Sequence, residues 1–237
     1  MQVLTGRNIP KNYRNITGKL SLSKADQLIT YESKLERDYY LLFELESEIF
    51  YIKDQPITLQ SKQTGMKYTP DFEIRTKLPN GGYKTIIGEF KYKKDLRKDW
   101  HVLKEKFKMA IEYCQRQNNT EFKIFTNSCV KISNKNYLFN THFLLNYKHF
   151  NHNHYLLLKK HYKKNIPIVE LLGLCSSDKM QQMELVNTLW YLIKKGAVQT
   201  NLFEQLTLYS KLNTFQPYNE MEKLILVREA YYIGSSQ

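Results

Sequence analysis

The 237 residues include 36 Lys and Arg against 23 Asp and Glu, a formal charge of +13, with a pI near 9.4. An apolar fraction of 42% with 14% aromatic residues supports packed cores and excludes wholesale disorder, while the positive excess suits a polyanionic partner such as nucleic acid. Cys114, Cys129 and Cys175 form no C-x-x-C pair, which argues against a disulfide framework or a cysteine zinc site. No apolar run reaches the roughly 20 residues of a membrane span, so a reducing, cytoplasmic setting is expected.

Residues 1–29 are basic, lack clear periodicity and are punctuated by Gly6, Pro10 and Gly18, which predicts an N-terminal arm that orders late or on DNA. Regular structure is expected from residue 30 to 130. Leu35, Tyr39, Leu42 and Leu45 recur at helical spacing. IFYIKDQPITLQ, interrupted by Pro56, predicts two short strands. KYTPDFEIRTK alternates, with Tyr68, Phe72 and Ile74 on one side and Thr69, Asp71, Glu73 and Arg75 on the other. LPNGG carries an Asn-Gly hairpin signal and turns the chain into YKTIIGEFKY. From Asp95 to about Arg116, the spacing of Trp100, Leu103, Phe107, Ala110, Ile111 and Cys114 predicts one long amphipathic helix, followed by the apolar strand FKIFT. The segment 131–164, with HFNHNH inside it, is polar and weakly periodic and is expected to be a connector with some helix. Over 165–237, IPIVELLGL and MQQMELVNTLWYLIKKG predict helices, the second stopped by Gly196. AVQTNL and LTLY predict short strands, the order found at the end of a winged-helix module. The fold class expected is α/β in the N-terminal part, with a small, mainly helical, winged-helix-like C-terminal part.

Strand alternation in IIGEFKY projects Glu89 and Lys91 together and sends Phe90 into the opposite layer. A twisted hairpin brings Asp71, at the opening of the preceding strand, beside Glu89. Phosphodiester hydrolysis needs a hard divalent cation on the scissile phosphate, and Mg²⁺ prefers carboxylate oxygen and water. Asp71 and Glu89 are the expected ligands, with the Phe90 carbonyl as a third; Mn²⁺ could substitute for Mg²⁺. Lys91 would orient or deprotonate the attacking water and offset charge developing on phosphate. The bland alternative is a solvated strand face with an ion pair worth under about 1 kcal/mol. Glu36 has two readings. Ser33-x-x-Glu36 fits a capping box, whereas repulsion from Glu32 four residues earlier favours a nearby positive group, such as a bound metal. His149, His152 and His154 lack accompanying ligands at zinc-like spacing. Without a G-x-x-x-x-G-K-[ST] loop, any ATP dependence must come from a partner.

In order and spacing, SKLERDYYLLFELE at 33–46, IKDQP at 52–56, YTPDF at 68–72 and IGEFKY at 87–92 resemble the TnsA-like endonuclease subunit of heteromeric bacterial transposases, within the PD-(D/E)xK superfamily. The resemblance covers roughly residues 30–130. It implies a restriction-endonuclease-like fold that cuts the 5′ strands at transposon ends in double-stranded DNA. It also implies two partners, a transposase subunit of the DDE type that handles the 3′ ends and an ATP-dependent regulator protein. By position, the family's helical Glu falls on Glu36, its metal-binding Asp on Asp71, and its acid or amide plus Lys on Glu89 and Lys91. Gln55 and Pro56 also match and are read as shaping a strand junction. The family's winged-helix-like C-terminal part is matched only coarsely by 165–237. Two alternatives stay open: a free-standing nuclease of restriction or repair, and a non-enzymatic DNA-binding assembly subunit.

Overall fold

The structure, a computed structural model, describes residues 2–4 and 17–216. Contacts divide the chain into two units, Met1–Ser133 and Asn134–Gln237. In the first unit the elements run β1 (Gln2–Leu4), β2 (Gly18–Leu20), β3 (Ile29–Tyr31), α1 (Lys34–Leu45), β4 (Ile49–Asp54), β5 (Thr58–Gln60), β6 (Lys67–Tyr68), β7 (Phe72–Lys77), β8 (Tyr83–Phe90), α2 (Lys93–Lys98), α3 (Trp100–Gln115), β9 (Thr120–Phe125) and α4 (Val130–Ser133).

The central sheet has the order β4-β7-β8-β9. β4, β7 and β8 pair antiparallel, and β9 joins β8 in parallel. A parallel neighbour requires a crossover, which α3 supplies. Strand alternation then sorts two cores. On one face, Tyr39, Tyr40 and Phe43 of α1 pack with Phe72, Phe90 and Phe125, and the Phe72 and Phe90 rings stack 4.4 Å apart. On the other, Leu103, Phe107 and Ala110 of α3 pack with Leu59, Tyr68, Phe122 and Ile124.

Pairing of Phe72 with Gly88 sets the register of the β7–β8 hairpin. A Cβ on Gly88 would lie 2.4 Å from the Phe72 ring and 2.5 Å from the Lys123 carbonyl oxygen, so the strand there must be bare.

Several expectations change. Tyr68 does not share a face with Phe72: the strand stops at Thr69 and Pro70, where no proline N–H is available to continue the ladder, and Tyr68 belongs to a separate sheet of order β1-β5-β6. The long helix is broken at Asp99 (φ −100°, ψ 12°) into α2 and α3, leaving Trp100 48% exposed and Ile111 43% exposed. The buried α3 stripe is Leu103, Phe107, Ala110 and Cys114. Within the expected arm, Gln2–Leu4 pairs with β5 and Gly18–Leu20 with β3; residues 1 and 5–16 lie outside the described residues.

The second unit contains α5 (Lys135–Leu145), α6 (His152–His161), β10 (Ile166–Pro167), α7 (Ile168–Cys175), α8 (Lys179–Lys194), β11 (Val198–Thr200) and β12 (Lys211–Phe215). The expected connector is therefore mostly helix. Asn134 and Asn151 cap α5 and α6 with their side chains, and both helices pack on α8. HFNHNH becomes the entry to α6, where His154 Nδ1 meets Thr188 Oγ1 at 3.2 Å. The sheet order is β10-β12-β11. LTLY is not a strand: Thr207 and Ser210 close a turn on themselves, and the return strand begins at Lys211. Buried Asn140 holds the intervening loop, donating to the Leu202 and Glu204 carbonyls and accepting from the Leu206 amide. Among the described residues, no helix is long and apolar enough to cross a membrane.

Gly88→Ala is expected to lower the unfolding free energy by about 1–3 kcal/mol, the range for forced overpacking. Denaturant melts against the native chain would measure it, and an unchanged midpoint would mean that Phe72 moves aside freely.

Candidate active site

The hairpin delivers Asp71, Glu89 and Lys91 to one region. Asp71 stands just before β7, and its backbone is held from three directions. Its amide donates to the Gly88 carbonyl at 2.9 Å, while the Gln55 amide and the Tyr40 hydroxyl donate to its carbonyl, each at 2.9 Å. Gln55 adopts a left-handed φ of 40° to do so, an uncommon conformation for a residue with a side chain, and Pro56 then turns the chain toward β5. The Asp71 side chain crosses to the neighbouring strand, where Oδ2 accepts the Phe90 amide at 2.8 Å. Phe90 itself points into the aromatic core, as alternation requires.

Glu89 is buried. Its Oε2 accepts from the Tyr68 hydroxyl at 2.9 Å, and its Oε1 lies 3.3 Å from Lys91 Nζ. Lys91 continues from the end of β8, with its amide tied to the Phe125 carbonyl at 3.0 Å.

Glu36 approaches from the first turn of α1. Ser33 caps that helix through the Glu36 amide. Glu36 reciprocates with Oε1 on the Ser33 hydroxyl at 2.9 Å and Oε2 on the Glu32 amide at 2.8 Å. The capping reading is thus realised one residue earlier than the box pattern suggests, and it does not remove Glu36 from the acid cluster.

The electrostatics tie the four together. Burial, then the charges of Glu89 and Glu36, push the Asp71 carboxyl well above the usual range, against the Phe90 amide and Lys91. Burial also raises Glu89, opposed by Lys91, Tyr68 and Lys106. Burial raises Glu36, with the charges of Glu32 and Glu89 adding to it. For Lys91, burial disfavours the charge, but Glu89, Asp71 and Glu36 outweigh it and hold the ammonium more firmly protonated than usual. Three acids therefore face one close cation. Among the described residues, no group of three His, Cys, Asp or Glu is drawn together in a metal-holding arrangement; Lys91 lies against Glu89, and Glu36 serves its own cap. The sequence marks Tyr68 only as an apolar strand position and the start of YTPDF, and does not mark Lys106 at all, because only the packing of β6 and α3 brings the two to Glu89. A polar cleft of about 530 Å³ lies at the other end of the hairpin, near Tyr83 and Tyr113, and contains none of the four residues.

Raised carboxylate pKa values mean that the native state binds more protons than the unfolded chain, so this contribution to stability is fully present below the unfolded values near about 4 and is lost as pH rises through the folded ones. Asp71→Asn keeps an oxygen for the Phe90 amide and removes the repulsion. In chelator it should melt at a higher temperature than the native chain at pH 7, with the difference vanishing toward acid pH. A lower melting temperature at pH 7 would mean that the Asp71 charge is compensated. Tyr68→Phe retains the ring but removes a hydrogen bond to a charged group, worth about 1.5–3 kcal/mol. Carbon NMR titration should place the Glu89 pKa higher than in the native chain.

A family model described as TnsA-like endonuclease N terminal matches residues 44–127. The match spans the end of α1 to just beyond β9, so it takes in Asp71, Glu89 and Lys91 and begins after Glu36. A comparison with curated proteins finds no match. The mixed sheet and its flanking helices are consistent with a nuclease-like fold, and this chain carries a TnsA-like endonuclease N-terminal domain.

Proposed function

We propose that the chain is a metal-dependent DNA endonuclease subunit of a heteromeric transposase, cutting the 5′ strands at transposon ends. The observation that carries the reading is the convergence of Asp71, Glu89 and Lys91 on one hairpin, with Glu36 entering from α1 so that the charges of Glu89 and Glu36 raise Asp71 and that of Glu89 raises Glu36. Hard carboxylate oxygens with a net negative balance fit Mg²⁺ or Mn²⁺ in ligand type and charge. Glu36, Asp71, Glu89 and the Phe90 carbonyl would hold the ion, which when bound supplies Lewis-acid activation of water and phosphate.

The protein's own groups have distinct tasks. Asp71 is preset by the Phe90 amide. Glu89 is oriented by Tyr68. Lys91, now on Glu89, would turn to the phosphate or the attacking water and offset developing charge. A transposase subunit of the DDE type and an ATP-dependent regulator are the proposed partners. For the second unit we propose a winged-helix-like module. Its support is the order α6, β10, α7, α8, β11, β12, with β12 between the other two strands.

The test is cleavage of labelled element-end DNA in Mg²⁺, with and without the transposase subunit. Asp71→Asn and Lys91→Ala should each lower cleavage by at least about 100-fold, the lower end for general acid–base catalysis, while DNA binding remains. Ca²⁺ in place of Mg²⁺ should preserve binding and suppress cutting. Normal cutting by Asp71→Asn would refute the assignment. Asp71→Ala is the poorer variant, since it leaves the Phe90 amide without its acceptor. Glu36→Gln can still accept a cap hydrogen bond, so loss of cutting in a stable Glu36→Gln chain would separate its metal role from its capping role.

A further inference from the structure

Immediately beyond Lys91 the chain forms a feature that neither core needs. Helix α2 buries none of its residues. It is tied to the chain after β9 by the Lys93 amide, which donates to Asn127 Oδ1 at 2.9 Å, and its own turn is closed by the Leu96 amide on the Tyr92 carbonyl and the Asp99 amide on the Asp95 carbonyl, each at 2.9 Å. Lys93, Lys94, Arg97 and Lys98 are exposed, and among the described residues none of the four has an ion-pair partner. Over 91–98 there are five basic residues against the single acid Asp95. At the break into α3, Trp100 rests one side of its ring near Phe107, with centroids 6.2 Å apart, and remains 48% exposed. With Leu96 and Arg97 it lines an open apolar recess of about 360 Å³. A fixed cationic ledge with a propped, half-open indole is thus built onto the end of the strand that carries Glu89.

We propose that this α2–α3 corner is a DNA-gripping ledge for the neighbouring site. Lys93, Lys94, Arg97 and Lys98 hold backbone phosphates beside the scissile one, and the open face of Trp100 packs on a nucleotide base of the same flank. The inference rests on the nuclease reading and adds to it the side from which the duplex is held. Reach agrees: three residues from Lys91 to Lys94 span at most about 11 Å, and phosphates on one strand recur every 3.4 Å or so of helix axis, so the ledge meets nucleotides a few steps from the cut. Charge selects DNA over a protein surface as the occupant, because an apolar recess lined by Arg97 on a helix that also exposes Lys93, Lys94 and Lys98 is costly to bury against protein but complements phosphate and base together.

The full chain is titrated with a short duplex in chelator over a range of salt concentrations, following both affinity and tryptophan emission. Each phosphate contact removed lowers the slope of log affinity against log salt by about 1, so Arg97→Ala with Lys98→Ala should flatten it by about 2. Duplex should change Trp100 emission, and Trp100→Phe should abolish that change, while buried Trp190, 5% exposed, reports an intact second unit and an unchanged far-UV circular dichroism spectrum reports an intact first one. A native-like slope in the double variant, or an emission change that persists in Trp100→Phe, overturns the ledge. So does an emission change produced by the transposase subunit but not by duplex. If the native chain fails to bind duplex at all, the nuclease reading falls with it. If the native chain binds and cuts while these variants match it, the ledge alone is refuted.

Discussion

The hydrogen bond from the Phe90 amide to Asp71 Oδ2 joins the two halves of this site. It forms only because Phe72 lies opposite Gly88, which fixes where the two strands stand relative to each other. A slip of one residue would turn Glu89 and Lys91 onto the aromatic face and Phe90 out of it. Core and chemistry thus share one constraint. The same register that stacks Phe72 on Phe90 beneath α1 sets the acid of one strand beside the acid and amine of the next.

That arrangement has an electrostatic cost in the protein without metal. Carboxyls pressed together and partly withdrawn from water resist ionisation, and Lys91, Tyr68 and the Phe90 amide offset only part of the penalty. A stability-driven sequence would place neutral groups there. Retained repulsion of this kind is expected where a site is built to receive positive charge. The surrounding hydrogen bonds fix its members in place: Tyr40 and Gln55 brace the Asp71 backbone, and Ser33 with the Glu32 amide braces Glu36.

The break at Asp99 changes what the following segment can do. Split into α2 and α3, it turns a short basic helix outward and leaves the indole at the corner. Four exposed basic residues of α2 therefore follow Lys91 directly in the chain.

The sequence by itself determined the helix, the hairpin and the E-x-K alternation, because period and turn chemistry are local properties. It also brought out the resemblance later matched over 44–127. The Ser33–Glu36 cap was legible for the same reason. Tertiary structure decided the rest. Pro70 could be read as tolerated at a strand edge, but that it would send Tyr68 to a different sheet and onto Glu89 depends on β5 and α3 being there to receive it. Trp100 and Ile111 fitted a helical stripe, yet burial depends on which neighbour covers the stripe, and the sheet extends only under Leu103, Phe107, Ala110 and Cys114. The 131–164 segment looked irregular because its polar residues cap helices rather than form loops, and a cap is recognised only once the helix it starts has something to pack against, here α8. Local pattern selects the elements, whereas the contacts that raise a pKa, expose an indole or stop a strand are long-range and exist only in the assembled fold.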